Sequence, residues 1–316
     1  NAIIHAIKSS VPDVEICTYC LCKTSHQAEA NDKFYGKVLA GGKTGKGKYT
    51  DANGNVYEGD LAKGKNHGKR ILTFADGGLY EGDIVAGKRS GKGKMTFANG
   101  GVYEGDWVAD KRAGYGKMVF MHRKNNSWDH RKRKWKIHAI LTPGNVYEGD
   151  FVDGKPHGKG KTTYVNGDIY EGDFVEGMRT GKGKFTWANG DLYEGDFVKG
   201  MRTGKGKFTK DFLGLDLFGI VYIHEGDWFG GEPHGKGKRI MATKFKRTVQ
   251  DFLSAIGNVY EGDWVLGEYS GKGKFTWANG DVYEGDWVGG KETGKGKRTW
   301  ANGDVYEGDW VGGKET

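Results

Sequence analysis

The sequence predicts an all-β fold, a thin sheet built from tandem β-hairpins. Three observations predict it. A tetrapeptide, Tyr-Glu-Gly-Asp, recurs along the chain; the residues inside each recurrence alternate with period two; and 57 glycines against only 4 prolines accompany 10 Trp, 16 Tyr and 15 Phe. Aromatic residues reach 13% while the hydrophobic fraction is only 36%. A chain with many rings and few aliphatic side chains lacks the material for a thick core, so its rings are expected to lie over bare backbone.

The repeat is the first element to justify. Tyr-Glu-Gly-Asp opens at Tyr57, Tyr80, Tyr103, Tyr147, Tyr170, Tyr193, Tyr260, Tyr283 and Tyr306. A His-Glu-Gly-Asp copy opens at His224, and a degenerate Tyr-Gly-Lys-Val at Tyr35. Successive spacings of 23, 23, 44, 23, 23, 31, 36, 23 and 23 give a period of 23 wherever nothing intervenes.

Within the unit Tyr170–Leu192 the alternation is that of strands. Tyr170, Gly172 and Phe174 share one face, with Glu171, Asp173 and Val175 on the other. A second strand sets Gly181, Gly183, Phe185 and Trp187 in phase, and Asn189-Gly190 supplies the turn to the next hairpin because both residues tolerate positive φ. A short loop centred near Gly177 and Met178 would place Phe174 opposite Gly181, Gly172 opposite Gly183 and Tyr170 opposite Phe185. On the reverse face it would pair Glu171 with Lys184 and Asp173 with Lys182, each worth roughly 0.2–1 kcal/mol.

These residues resemble the MORN (membrane occupation and recognition nexus) repeat family, whose pattern is Tyr-x-Gly-x-Trp/Phe, a Gly-Lys turn, then Gly-x-Gly and an aromatic. The resemblance covers roughly residues 35 to 316 apart from three interruptions. It implies an elongated, single-layer, twisted antiparallel sheet of stacked hairpins, about 100 Å long for ten of them at ~4.8 Å per strand. It also implies a ring-lined groove along one face. Its expected members are Tyr57, Tyr80, Tyr103, Trp107, Tyr147, Phe151, Tyr170, Phe174, Phe185, Tyr193, Phe197, Phe208, Trp228, Tyr260, Trp264, Phe275, Tyr283, Trp287, Tyr306 and Trp310. An exposed row of rings would mark an interaction surface for a protein partner or a second copy of the chain.

The interruptions share one address, after the second strand of a hairpin, where a repeat array tolerates insertion. The expected organisation is an N-terminal segment at 1–34, poorly ordered; repeats at 35–121; a basic insert loop at 122–143; repeats at 144–210; a short insert at 211–221; one repeat at 222–242; an insert at 243–256; and repeats at 257–316, the last one truncated. Loop expansion and retained non-coding sequence both account for the inserts. The chain opens at Asn1 and stops within a repeat, which predicts a fragment.

The inserts also decide how the net charge of +8 is read. The first carries Arg123, Lys124, Arg131, Lys132, Arg133, Lys134 and Lys136 against Asp129, a balance of +6; the third carries +2. The unit from Tyr283 to Val305 has four acids and four bases. The high net charge is therefore no evidence that the repeat sheet is a polyanion-binding surface, and nucleic acid is not expected as a partner. The basic insert, with Trp128 and Trp135 among its bases, suits contact with anionic membrane lipid such as a phosphoinositide; a solvated loop is the plainer reading.

No catalytic or cofactor chemistry emerges. Cys17, Cys20, Cys22 and His26 crowd four thiol and imidazole groups into ten residues, without the separated pairs of a zinc knuckle. Glu-Gly-Asp lacks the spacing of a calcium loop, and the Gly-Lys strings lead into strands where a phosphate loop leads into a helix. No metal, cofactor or small-molecule substrate is expected. No run is long and apolar enough to span a bilayer, and the clustered cysteines favour a reducing, cytoplasmic setting, peripheral to a membrane or the cytoskeleton. The leading expectation is a non-catalytic scaffold. The alternatives are a membrane-targeting module, or the regulatory part of a larger enzyme, since MORN arrays precede the catalytic domains of phosphatidylinositol phosphate kinases and a SET-domain lysine methyltransferase.

Overall fold

The computed structural model describes residues 33–36, 45–62, 65–123, 127–129, 134–136, 141–212, 218–245 and 257–316. Among them there are strands and turns and no helix. The chain divides into two compact units, Asn1–Lys111 and Arg112–Thr316. In the first, strands Lys33–Gly36, Gly45–Thr50, Val56–Ala62, Lys65–Thr73, Leu79–Val85, Lys88–Thr96 and Val102–Val108 each pair antiparallel with the next. The second repeats the scheme from Leu141–Val152 to Lys314–Glu315, so each unit is an open antiparallel meander.

One hairpin explains the rest. Strands Ile169–Val175 and Met178–Thr186 are joined by Glu176-Gly177, with φ of 50° and 84°. Two successive positive φ values make the tight turn whose twist matches the strands it joins, and glycine adopts the second without cost. The turn thus centres one residue earlier than the sequence suggested. Val175 pairs with Met178, Phe174 with Arg179 and Asp173 with Thr180; then the register shifts between Gly172 and Asp173, so that Gly172 faces Gly183 and Tyr170 faces Phe185. Gly181 and Lys182 are the residues bulged out, and Gly181 takes a positive φ of 58°.

The expected facing of Phe174 with Gly181, and of Asp173 with Lys182, is therefore corrected. That register occurs, but between successive hairpins: Gly181 faces Phe197, Lys182 faces Asp196, Gly183 faces Gly195 and Lys184 faces Glu194. The bulge relocates the ion pairs to the seams between repeats. Lys159 Nζ lies 2.6 Å from Asp173, Lys182 Nζ 2.6 Å from Asp196 and Lys161 Nζ 2.7 Å from Glu171.

The turn between hairpins also differs in detail. Gly190 has φ of 91°, while Asn189 keeps an ordinary negative φ. The Gly190 N–H donates to Trp187 O, the Trp187 N–H to Asp191 O, and Asn189 Oδ1 accepts the Asp191 N–H at 3.1 Å. Asparagine serves here through its side chain. Successive turns are tied as well, because the Ala188 N–H donates to Asp168 Oδ1 and the Ala301 N–H to Asp281 Oδ1.

Strand pairing runs into the segments read as inserts. Lys111–Arg123 pairs with Leu141–Val152 as far as Arg123 and Leu141, and residues 127–129 pair with 134–136. Met201–Phe212, Phe218–Phe229 and Glu232–Phe245 are likewise lengthened, with Phe212 facing Ile220 and Phe218 facing Phe245. Residues that lengthen both arms of a hairpin can go on exchanging backbone hydrogen bonds, so part of each insertion is sheet.

The glycines are a packing requirement. A Cβ on Gly172 would lie 2.6 Å from Gly183 Cα and 2.6 Å from the Tyr170 hydroxyl, and one on Gly183 would lie 2.5 Å from the Tyr170 ring. Gly183→Ala is expected to destabilise the second unit by about 3 kcal/mol. Thermal melting of Gly183→Ala, Tyr170→Ala and the double variant tests the cause. The double variant should lose less than the two single losses added together, since deleting the ring removes the clash.

Candidate functional site

The rings form a closed layer. Tyr80, Tyr103, Tyr170, Tyr193 and Tyr283 are fully buried, as nearly are Trp107, Tyr147, Phe151, Phe174, Phe197, Trp228, Tyr260, Trp264, Trp287 and Trp310, and Phe185 and Phe275 are buried too. Tyr57, Phe208 and Tyr306 are half-buried. The expected exposed groove of rings is corrected: the structure brings the rings together, and each is covered by its neighbours.

The geometry is repetitive. Tyr170 meets Phe174 of its own strand edge to face at 5.1 Å and Phe197 of the next hairpin at 5.1 Å; Tyr193 meets Phe197 and Trp228 at 5.2 Å each. The run continues through His224, Trp264, Tyr260, Trp287, Tyr283 and Trp310. Each such pair contributes about 0.5–1.5 kcal/mol beyond its buried area. The polar atoms of the rings are used. The Tyr170 hydroxyl donates to Asp173 O at 3.1 Å, beside the bulge, and Trp287 Nε1 donates to Gly273 O at 3.1 Å. Burial pushes the Tyr170 hydroxyl pKa up to about 12, helped by the Asp173 charge.

Arginines roof this layer, a role the sequence reading missed. The Arg179 guanidinium lies 5.0 Å from the Phe185 ring centre and 5.6 Å from that of Tyr170, and donates to Gly200 O of the next turn at 2.9 Å. Arg89 lies 4.4 Å over Trp107, and Arg202 4.7 Å over Trp228. Tyr269 takes the same position in its repeat and stacks on Tyr260 at 3.9 Å. The available signal was positional, since Arg89, Arg112, Arg179 and Arg202 all sit two residues before the Gly-Lys or Gly-Tyr pair.

The open surface is the reverse face. In the second unit a groove of about 1430 Å³ crosses successive strands, with Gly226, Gly237, Gly262, Gly273, Gly285 and Gly296 in its floor. Lys238, Lys272, Lys274, Lys297, Glu261 and Glu284 are among its walls. The first unit has a groove of about 820 Å³ lined by the same positions, including Gly82, Gly93, Lys92, Lys94, Glu81 and Glu104. Because each glycine has its hydrogens where a Cβ would point toward the rings, the floor is bare peptide. Asp263, bonded to the wall residues Lys236 and Lys272, shows the balance of forces there: burial raises its pKa, but bonds from the Lys236 side chain and the Lys272 N–H outweigh this and lower it. Val265, Val288 and Val311, exposed at 49, 65 and 67%, alternate to this face at the hairpin tips.

Lys124, Arg131, Lys132 and Arg133 of the basic insert, and Cys17, Cys20, Cys22 and His26, lie outside the described residues; Arg123, Lys134 and Lys136 are described as strand backbone only. Among the described residues no group of acidic, His or Cys side chains could hold a metal ion, and no helix could cross a membrane.

His224 is the exception in the ring layer. It is fully buried between Trp228 and Trp264, its ring nitrogens have no hydrogen-bond partner, and burial and then the Arg239 charge push its pKa down to about 4. A folded-state pKa below the ordinary 6.5 means that the neutral form is the one folded, so stability is retained above pH 6.5 and lost between there and about pH 4. The loss is about 3 kcal/mol. His224→Tyr should restore the hydroxyl bond to Asp227 O, stabilise by about 1 kcal/mol at neutral pH, and widen its advantage on acidification. Urea unfolding of both proteins across this pH range checks the sign.

Comparison with known families finds the MORN repeat at residues 40–56, 57–79, 80–102, 103–121, 147–169, 170–192, 193–211, 224–243, 260–282, 283–305 and 306–315. No curated protein matches the chain.

Proposed function

The chain belongs to the MORN repeat family, and on that premise we propose that it is a non-catalytic scaffold whose glycine-floored, Lys/Glu-walled face binds a partner protein. The observation that carries this reading is the asymmetry of the two faces. The rings are consumed in holding the sheet together, while the reverse face repeats an aliphatic row, a Lys/Asp row and a Lys/Glu row on most hairpins, about 7 Å apart along each strand, with Ile71 and Tyr115 standing in two of the lysine positions. Such a surface offers many equivalent weak contacts and no enclosed pocket, which suits a protein ligand better than a small substrate. A pure all-β repeat is consistent with a non-enzymatic role.

Anionic-membrane targeting is the second reading, supported by the +6 balance of the insert at 122–143. One experiment separates the two. The whole chain, a Lys274→Glu/Lys297→Glu variant and a chain lacking residues 122–143 are used as baits for quantitative affinity capture, and each is floated with liposomes with and without phosphoinositide. Both substituted lysines are on the surface, but each reversal sets like charges opposite on both flanking strands, so the variant should lose about 1–2 kcal/mol and is compared at a temperature where melting shows it fully folded. The scaffold reading expects a captured protein to be lost from the lysine variant and kept by the deletion, with no flotation. Capture that ignores the lysine changes sinks the groove assignment. Flotation that vanishes with the deletion makes the insert a membrane anchor.

A further inference from the structure

Six of the turns between hairpins contain an Asn-Gly pair, at Asn53, Asn99, Asn166, Asn189, Asn279 and Asn302, and all six asparagines are exposed at the sheet edge. Asn-Gly is the pair most open to spontaneous deamidation, because glycine places no side chain in the way of its own nitrogen. What the structure adds is a ranking. Asn166, Asn189 and Asn302 are held twice, the amide oxygen accepting the N–H two residues on and the amide nitrogen donating to the Asp carboxylate there, at 2.8–3.2 Å. The Asn279 Oδ1 likewise accepts the Asp281 N–H at 3.0 Å, and the Asn99 Oδ1 accepts the Gly101 N–H at 3.0 Å as that side chain's one bond among the described residues.

The Asn53 side-chain amide has no hydrogen bond among the described residues. Its usual duty is taken by Asp51, which stands where the other five turns carry an aromatic residue. Asp51 Oδ1 accepts the N–H groups of both Asn53 and Asn55 at 2.9 Å, and Asp51 Oδ2 accepts from the Asn55 side chain at 2.9 Å. The Asn53 amide is therefore free to turn toward the Gly54 nitrogen. We propose that Asn53 is a built-in modification site, converted by water alone to aspartate and isoaspartate while the other Asn-Gly turns are protected.

In the reaction the Gly54 nitrogen bonds to Asn53 Cγ, the Cγ–Nδ2 bond breaks, and the proton from the Gly54 nitrogen leaves with the departing ammonia. One water then opens the cyclic imide at either carbonyl. Opening to aspartate leaves the turn intact, because Asp76 already occupies the equivalent position and its Oδ1 accepts the Gly78 N–H at 2.8 Å. Opening to isoaspartate routes the backbone through an extra methylene and displaces Asn55, whose Oδ1 receives the Ala75 N–H of the next turn at 3.1 Å. The tie between two successive turns is lost, and a negative charge is added at the sheet edge.

The full chain is aged in mildly alkaline buffer, folded and in urea, with site-resolved peptide mapping and isoaspartate detected by enzymatic carboxyl methylation. Each bond that must break should slow conversion about fivefold, so folded Asn53 should convert about twenty-fivefold faster than Asn189 and Asn302, with Asn99 between. In urea the rates should converge. Asp51→Phe, which frees the Asn55 N–H for Asn53, should slow Asn53 about fivefold, and Asp191→Gly should speed Asn189 about fivefold. If folded Asn53 is no faster than Asn189, or if the ranking persists in urea, the structural protection proposed here is overturned.

Discussion

The fold depends on a tyrosine ring laid over glycine backbone. Tyr170 covers Gly172 and Gly183 so closely that neither could carry a Cβ, and it makes T-shaped ring contacts with Phe174 and with Phe197 of the next hairpin. One ring therefore closes its own hairpin and fastens the following one. A sheet one layer thick has no second sheet to bury its apolar face against, so the rings must bury one another. The roofing arginines complete the cover by setting a flat cation over the rings and a hydrogen bond into the next turn.

The same packing divides labour between the faces. The bulge after Gly172 lets two residues of the returning strand oppose none on its partner, sets the Tyr170 hydroxyl against Asp173 O, and moves the lysine–aspartate pairs to the seams. Adjacent repeats are thus joined by rings on one face, ion pairs on the other and turn-to-turn bonds at the edge. Exposed ion pairs contribute little stability, so the charged face carries chemistry that the fold does not consume. In an array stabilised by neighbour contacts, hairpins that keep the repeat present the same groups in the same place.

Departures from the repeat show what each position does. His224 keeps the ring but loses the hydroxyl, leaving buried nitrogens without partners. Ala109-Asp110 forms the hairpin turn without glycine, and Asp110 is held in its positive φ of 71° by Arg89, which donates to it at 3.0 Å. Asp51 replaces an aromatic residue and takes over the bonding of a whole turn. The inserted segments enter where two strand ends stand side by side, so their first residues go on pairing.

Period, hairpin order, strand phase and the identity of the buried rings were legible in the amino-acid sequence, because a single-layer repeat writes every face in local alternation. Glu171 opposite Lys184 and Gly172 opposite Gly183 could be read for the same reason. The charged character of the second face was legible too, though not its openness. What only the tertiary structure decided was the fate of those rings and charges. A bulge changes register by an amount that alternation cannot report, so the seam pairing of Lys182 with Asp196 was invisible within one unit. Whether a row of rings is a wet groove or a closed layer depends on contacts between hairpins 23 residues apart, and only stacking them shows Phe197 and Arg179 covering Tyr170 and Phe185.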